Sequence, residues 1–151
     1  MLRLCPNLAE AYYNKARIST LIGDKQRASA DFSQAIRSNR RFALAYYNRG
    51  VLRYISGDAH EAIKDFTESI HLNAKLPQAY YNRALAQSDL GDKEAAIHDY
   101  TQALVLDSHL AQALYNRSLA RMKIMDMHAL VAGQRGPNGP FGPNGPAGPT
   151  R

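Results

Sequence analysis

The chain has 151 residues, 45% of them hydrophobic, with 19 Lys and Arg against 13 Asp and Glu. This is room for one domain or a short array of repeats, and too apolar for a wholly disordered chain. No apolar run reaches the roughly 18 residues that span a bilayer, the start lacks the apolar core of a secretory signal, and one Cys makes neither an internal disulfide nor a Cys-rich zinc site.

Elements follow in chain order. Leu2-Arg3-Leu4-Cys5 is in register with Ile70-His71-Leu72-Asn73 and Leu104-Val105-Leu106-Asp107, so residues 1–8 read as the remnant of a preceding unit. Helices are then predicted in pairs over 9–22 and 25–38, 43–56 and 59–72, and 77–90 and 93–106. Gly23, Gly57 and Gly91 stop the first helix of each pair, because Gly accepts the left-handed conformation that closes a helix end. Asp24, Asp58 and Asp92 follow and can cap the second helix by accepting backbone N–H groups. Pro77 suits a first helical turn, where its missing N–H costs nothing. In the second helices Ala62, Ile63, Phe66 and Ile70, and again Ala96, Ile97, Tyr100 and Leu104, recur at helical spacing.

Residues 111–132 read as a partial fourth unit or terminal helix. Met125 stands where the stop glycine belongs, and Leu130 where a small alanine belongs. One helix from Ala111 to Val131, ending before Gly133, is expected; a broken pair of short helices is the alternative. Met122, Ile124, Met125, Met127, Leu130 and Val131 would cover the preceding core, or offer an apolar surface for a homo-oligomer. Residues 133–151 hold six Gly-X-Y triplets, five of them Gly-Pro. The run is short for a collagen helix and predicts a disordered, polyproline-like tail.

The units repeat every 34 residues. Tyr13, Tyr47, Tyr81 and Tyr115 share one column, followed by Asn14, Asn48, Asn82 and Asn116. Next come the basic residues Lys15, Arg49, Arg83 and Arg117, then the small residues Ala16, Gly50, Ala84 and Ser118. Ala28, Ala62 and Ala96 recur as well, as do Phe32, Phe66 and Tyr100. Small residues at matching places on both helices let a pair approach to about 8–10 Å. The pattern resembles the tetratricopeptide repeat family, best over Ala45-Tyr46-Tyr47-Asn48-Arg49-Gly50, Gly57-Asp58, Glu61-Ala62-Ile63 and Ser69-Ile70. The resemblance implies an all-α, right-handed superhelical solenoid of antiparallel helix pairs. Its units are 9–42, 43–76 and 77–110, about three and a half repeats in all. Where the family carries Pro after the second helix, Arg40, Ala74 and Ser108 stand here and only Pro6 keeps it. That predicts less rigid turns between units. Without visible capping units the chain reads as a fragment or truncated isoform of a longer array.

Catalytic chemistry finds little support. His60, His71, His98, His109 and His128 are scattered without metal-ligand spacing, and no phosphate loop is present. Cys5 has no patterned partner for nucleophilic catalysis. No cofactor and no enzyme activity are expected. The charge of +6 is spread along the chain, densest at Arg40-Arg41, which favours acidic partners over a nucleic-acid stripe.

The Asn column carries the functional expectation. In the family's superhelix the first helices line the concave wall, so Asn14, Asn48, Asn82 and Asn116 would form a ladder along it. An amide both donates and accepts, and can clamp the backbone of an extended peptide. This is similar to the asparagine ladder of the O-linked N-acetylglucosamine transferase superhelix. The alternative is that each Asn ties adjacent helices together. Tyr13, Tyr47, Tyr81 and Tyr115 would add aromatic contact surface. The family's carboxylate clamp grips acidic chaperone tails; its places hold Tyr13, Arg17, Asn48, Gln78 and Asn82 here, and only Asn48 matches. Arg17 is basic where Asn is expected, so binding of chaperone tails is disfavoured, although the charge of the chain leaves some affinity for acidic peptides. Arg49, Arg83 and Arg117 either pair with the recurring Asp31, Asp65 and Asp99 or donate to a ligand. The expected function is a non-catalytic scaffold binding a peptide in the concave groove, in the cytoplasm or the nucleus. A structural spacer that assembles through its ends is the rival.

Overall fold

A computed structural model describes residues 7–138, 140 and 143–145. Among these residues all regular structure is helical: α1 Leu8–Leu21, α2 Lys25–Ser38, α3 Ala43–Ile55, α4 Ala59–Leu72, α5 Pro77–Asp89, α6 Lys93–Leu106 and α7 Ala111–Arg135. Each first helix packs on the second helix that follows it, giving the pairs α1–α2, α3–α4 and α5–α6. The pairs join in series through α2–α3, α4–α5 and α6–α7, and α3 also touches α5. The result is an all-α solenoid with the first helices in one layer.

The local causes are those the sequence carries. Gly23, Gly57 and Gly91 adopt φ of +82°, +89° and +90° at the turn inside each pair. The next residue caps the second helix: Asp24, Asp58 and Asp92 accept from the backbone N–H of Arg27, Glu61 and Ala95 at 3.0, 3.3 and 3.1 Å. Pro77 occupies the first turn of α5. The second helices match their expected bounds, while α3 and α5 stop one residue early and α1 starts and stops one residue early.

Turns between units are closed by a different device from the missing proline. Asn39, Asn73 and Asp107 follow the second helices in extended backbone. Their side-chain oxygens accept from the N–H groups of Arg41, Lys75 and His109, each at 3.0 Å. This Asx turn substitutes a side-chain acceptor for a fixed ring.

Small residues sit at every helix crossing. Ala16, Ala28, Ala35, Ala45, Ala62, Ala84, Ala96 and Ala103 are wholly buried, with Phe32, Phe66 and Tyr100 as the large side chains between them. Gly50 is the tightest point, since a Cβ there would lie 2.8 Å from the Phe66 ring.

The terminal helix departs from its expected end. α7 continues through Gly133 to Arg135, so the tail begins later than residue 133. With Met125 in the glycine's place nothing breaks the helix, and Asp126 falls inside α7 instead of capping a new helix. Beyond it, residues 137, 138, 140, 143 and 144 are in turns, and the Asn144 N–H donates to the Pro137 carbonyl at 2.8 Å. Residues 1–6 of the expected remnant, and 139, 141–142 and 146–151 of the expected disordered tail, lie outside the described residues.

Candidate functional site

Tyrosine and asparagine, adjacent in sequence, meet across the joint between units. The Asn48 amide donates to the Tyr13 hydroxyl at 3.1 Å, Asn82 to Tyr47 at 2.9 Å, and Asn116 to Tyr81 at 3.3 Å. Each bond links one first helix to the next. The Asn48 amide nitrogen also donates to the Leu44 carbonyl at 2.9 Å. A carbonyl only accepts, so this contact fixes which end of the amide faces it. The nitrogen of Asn48 is thereby committed, and its oxygen is the acceptor end of the amide. Asn14 is exposed, and no described tyrosine lies one unit before it.

The tyrosine rings are packing elements. Tyr13 lies against Phe32 at 5.7 Å between centroids, Tyr47 against Phe66 at 6.0 Å, and Tyr81 against Tyr100 at 5.9 Å. Burial raises the Tyr47 hydroxyl above its ordinary pKa, partly offset by the Asn82 amide on its oxygen. Tyr115 is the exposed member of the column, at 68%. Arg17 is exposed and stands over the Tyr13 ring, 5.8 Å from its centroid.

Two hollows open beside the ladder at equivalent places. One, of about 170 Å³, is lined by Arg17, Thr20, Leu21, Phe32 and Asn48. The other, of about 220 Å³, has Leu85, Ser88, Asp89, Tyr100 and Asn116 in the same five positions, and adds Lys93, Leu119, Ala120 and Lys123. Lys93 donates to the Ser88 carbonyl and hydroxyl at 2.7 and 2.9 Å. In the middle unit the place of Thr20 and Ser88 belongs to Tyr54, whose hydroxyl donates to Asp89 at 2.6 Å. Burial, then the Asp89 carboxylate, push the Tyr54 pKa well above its ordinary value. Tyr54 and Asp89 escaped the sequence reading because they occur in single units; only the reach of one column to the next could have signalled them.

Arg49 and Arg83 of the arginine column are structural. Arg49 holds Asp65 through Nε and Nη2 at 2.9 and 2.7 Å, and Arg83 holds Asp99 through the same atoms at 2.6 and 2.8 Å. Arg53 adds a second cation to Asp65 at 2.9 Å. The hydrogen bond to Asp65 raises the Arg49 pKa further. Lys15 reaches Asp31 at 3.4 Å with a single ammonium. Among the described residues no three His, Cys, Asp or Glu side chains gather into a metal-holding group. No described helix is long and apolar enough to cross a membrane.

Similarity to known proteins agrees with this geometry. Two sequence profiles described as tetratricopeptide repeat match, one over residues 9–42 and 43–76, the other over 77–110. No curated protein matches the chain. Among solved structures, the first such domain of Spaghetti (RPAP3), bound to an HSP90 peptide, is 18% identical. It covers 83% of this chain and 99% of its own, with a TM-score of 0.78. The Arabidopsis OM64 domain is 23% identical over 78% of this chain and 97% of its own, with a TM-score of 0.74. The second domain of human RPAP3, in complex with an HSP70 peptide, is 24% identical over 76% of this chain and 95% of its own, with a TM-score of 0.71. Three consecutive matched units, with their glycine joints, small-residue crossings and seven described helices, make this chain a member of the tetratricopeptide repeat family.

Proposed function

We propose that the chain is a non-catalytic interaction scaffold that takes an extended peptide along the concave face of its first helices. The observation that carries the reading is the row of asparagine amides, stitched by nitrogen to the preceding tyrosine, with hollows beside Asn48 and Asn116. The oxygens of Asn48, Asn82 and Asn116 accept N–H groups of the peptide backbone, and Asn14 offers a further amide. The hollows receive side chains and set the choice of partner. Arg17 favours an acidic side chain in one hollow, while the other sets Lys93 and Lys123 against Asp89. The tyrosine column holds the amides in place, with Tyr115 adding aromatic contact. Solved domains of the same fold are bound to HSP90 and HSP70 peptides, which supports peptide capture as the mode of action.

The test separates ligand contact from internal bracing. A peptide selected from an array by the full chain is titrated by fluorescence anisotropy. Asn48→Ala with Asn82→Ala should weaken binding at least about tenfold, the worth of roughly 1.4 kcal/mol. Tyr47→Phe, which releases the Asn82 amide but keeps its carbonyl oxygen, should weaken binding by less than the double variant does. Equal affinity for the double variant, with helicity retained, overturns the reading.

A further inference from the structure

We propose that α7 is a receptor for an amphipathic helix of a partner protein carrying Asp followed by Phe or Tyr, docked antiparallel on α7 as α4 docks on α3. This face shares only Tyr115 with the peptide groove.

Arg117 argues for it first. In the two upstream locks, Nη1 of the arginine is held by a hydroxyl of the previous unit: Arg49 by Ser33 and Arg83 by Thr67, both at 3.1 Å. Nε and Nη2 then grip the aspartate of the second helix. Arg117 repeats the first half, donating from Nη1 to Thr101 at 3.3 Å. Its Nε is buried and has no partner. In the repeat register the aspartate's column holds Gly133, which lies farther along α7 itself. Arg121 stands where Arg53 reinforces Asp65, so two cations face one missing carboxylate. A guanidinium already oriented by its neighbour loses little freedom on gripping a carboxylate with two parallel bonds.

Two further vacancies coincide. Tyr115 lacks the aromatic residue on which Tyr13, Tyr47 and Tyr81 rest; in the repeat register its column holds Gln134, farther along α7. Ser118 is exposed, whereas Ala16, Gly50 and Ala84 in its column are covered by a second helix. The face is widened by the exposed Leu114, Met122 and Met125. Every second helix of the chain that meets such a face has the form Ala-x-x-Asp-aromatic-x-x-small: Ala28, Asp31, Phe32 and Ala35; Ala62, Asp65, Phe66 and Ser69; Ala96, Asp99, Tyr100 and Ala103. An aspartate and its neighbouring ring would satisfy Arg117 and Tyr115 together.

The probe is a labelled synthetic peptide with the sequence of residues 58–73, which contains α4, titrated into the full chain. Saturable binding is expected, with a gain of helicity. Asp65→Asn in the peptide, or Arg117→Gln in the chain, should each weaken binding at least about tenfold. Ser118→Trp, which fills the crossing without touching the cations, should abolish it. Absence of binding, or affinity unchanged by both charge variants, overturns the proposal. So does concentration-dependent dimerisation of the chain alone that Arg117→Gln removes, which would assign the face to a second copy.

Discussion

Asp65 shows how much one buried carboxylate can organise. Its side chain is 4% exposed and bonds Arg49 twice and Arg53 once. Asp31, at the same place one unit earlier, has only a half-exposed Lys15 at 3.4 Å and a buried Oδ2 with no partner. Breaking a buried pair leaves an uncompensated charge and costs about 3 kcal/mol or slightly more. A single-point pair to a half-exposed lysine is worth about 1 kcal/mol or less. Asp65→Asn should therefore lower the urea midpoint by far more than Asp31→Asn, at an unchanged slope. The pairing of the arginine and aspartate columns was one of two readings open in the sequence, since both recur in register. That each Asn ties adjacent helices was likewise one of two readings, but its tyrosine partner was not foreseen. Tyr and Asn sit side by side in every unit, and a column alignment places them together without saying that each Asn reaches back to the tyrosine of the unit before.

At the scale of the helix, the joints are written most plainly. Gly57 at φ +89° has nothing within 4 Å of where a Cβ would stand. Only backbone strain opposes a side chain there, at roughly 1–2 kcal/mol. Gly57→Ala should destabilise by about that amount, and Gly57→Asn by less, because Asn visits the left-handed region more readily; thermal melts of the two variants check both. The six paired helices were legible to within a residue because glycine, aspartate and a 3.6-residue apolar rhythm all mark the same boundaries. The end of α7 was not. Gly133 was expected to stop it, yet a glycine ends a helix only when the following chain gains from turning back. Here no aspartate caps a new helix, and the backbone runs on to Arg135. The inter-unit turns show the same lesson in reverse: proline is missing, and a side-chain acceptor does its work.

Across the whole molecule, stability is a sum over units and the contacts between neighbours. Four tyrosines of the middle and third units, Tyr46 among them, make that sum sensitive to alkali. Burial raises the pKa of Tyr54 and Tyr47, and raises that of Tyr100 from the ordinary 10.0 to about 12. A phenol harder to ionise in the fold than in the unfolded chain gives its full stabilisation below about pH 10. As pH rises further the unfolded state loses protons first, and the contribution is lost through the folded pKa. Denaturant midpoints should fall between about pH 10 and 12, and the fall should be shallower for Tyr54→Phe.

Tyr54 has another effect on the array. In the proposed groove it stands between the two equivalent hollows, which would then act as two footholds separated by a tyrosine. A guest long enough to set a side chain in each would hold the second at a high local concentration once the first is seated, whereas a shorter guest keeps one foothold only. Length and spacing of the guest, as well as its chemistry, would then decide how tightly it stays.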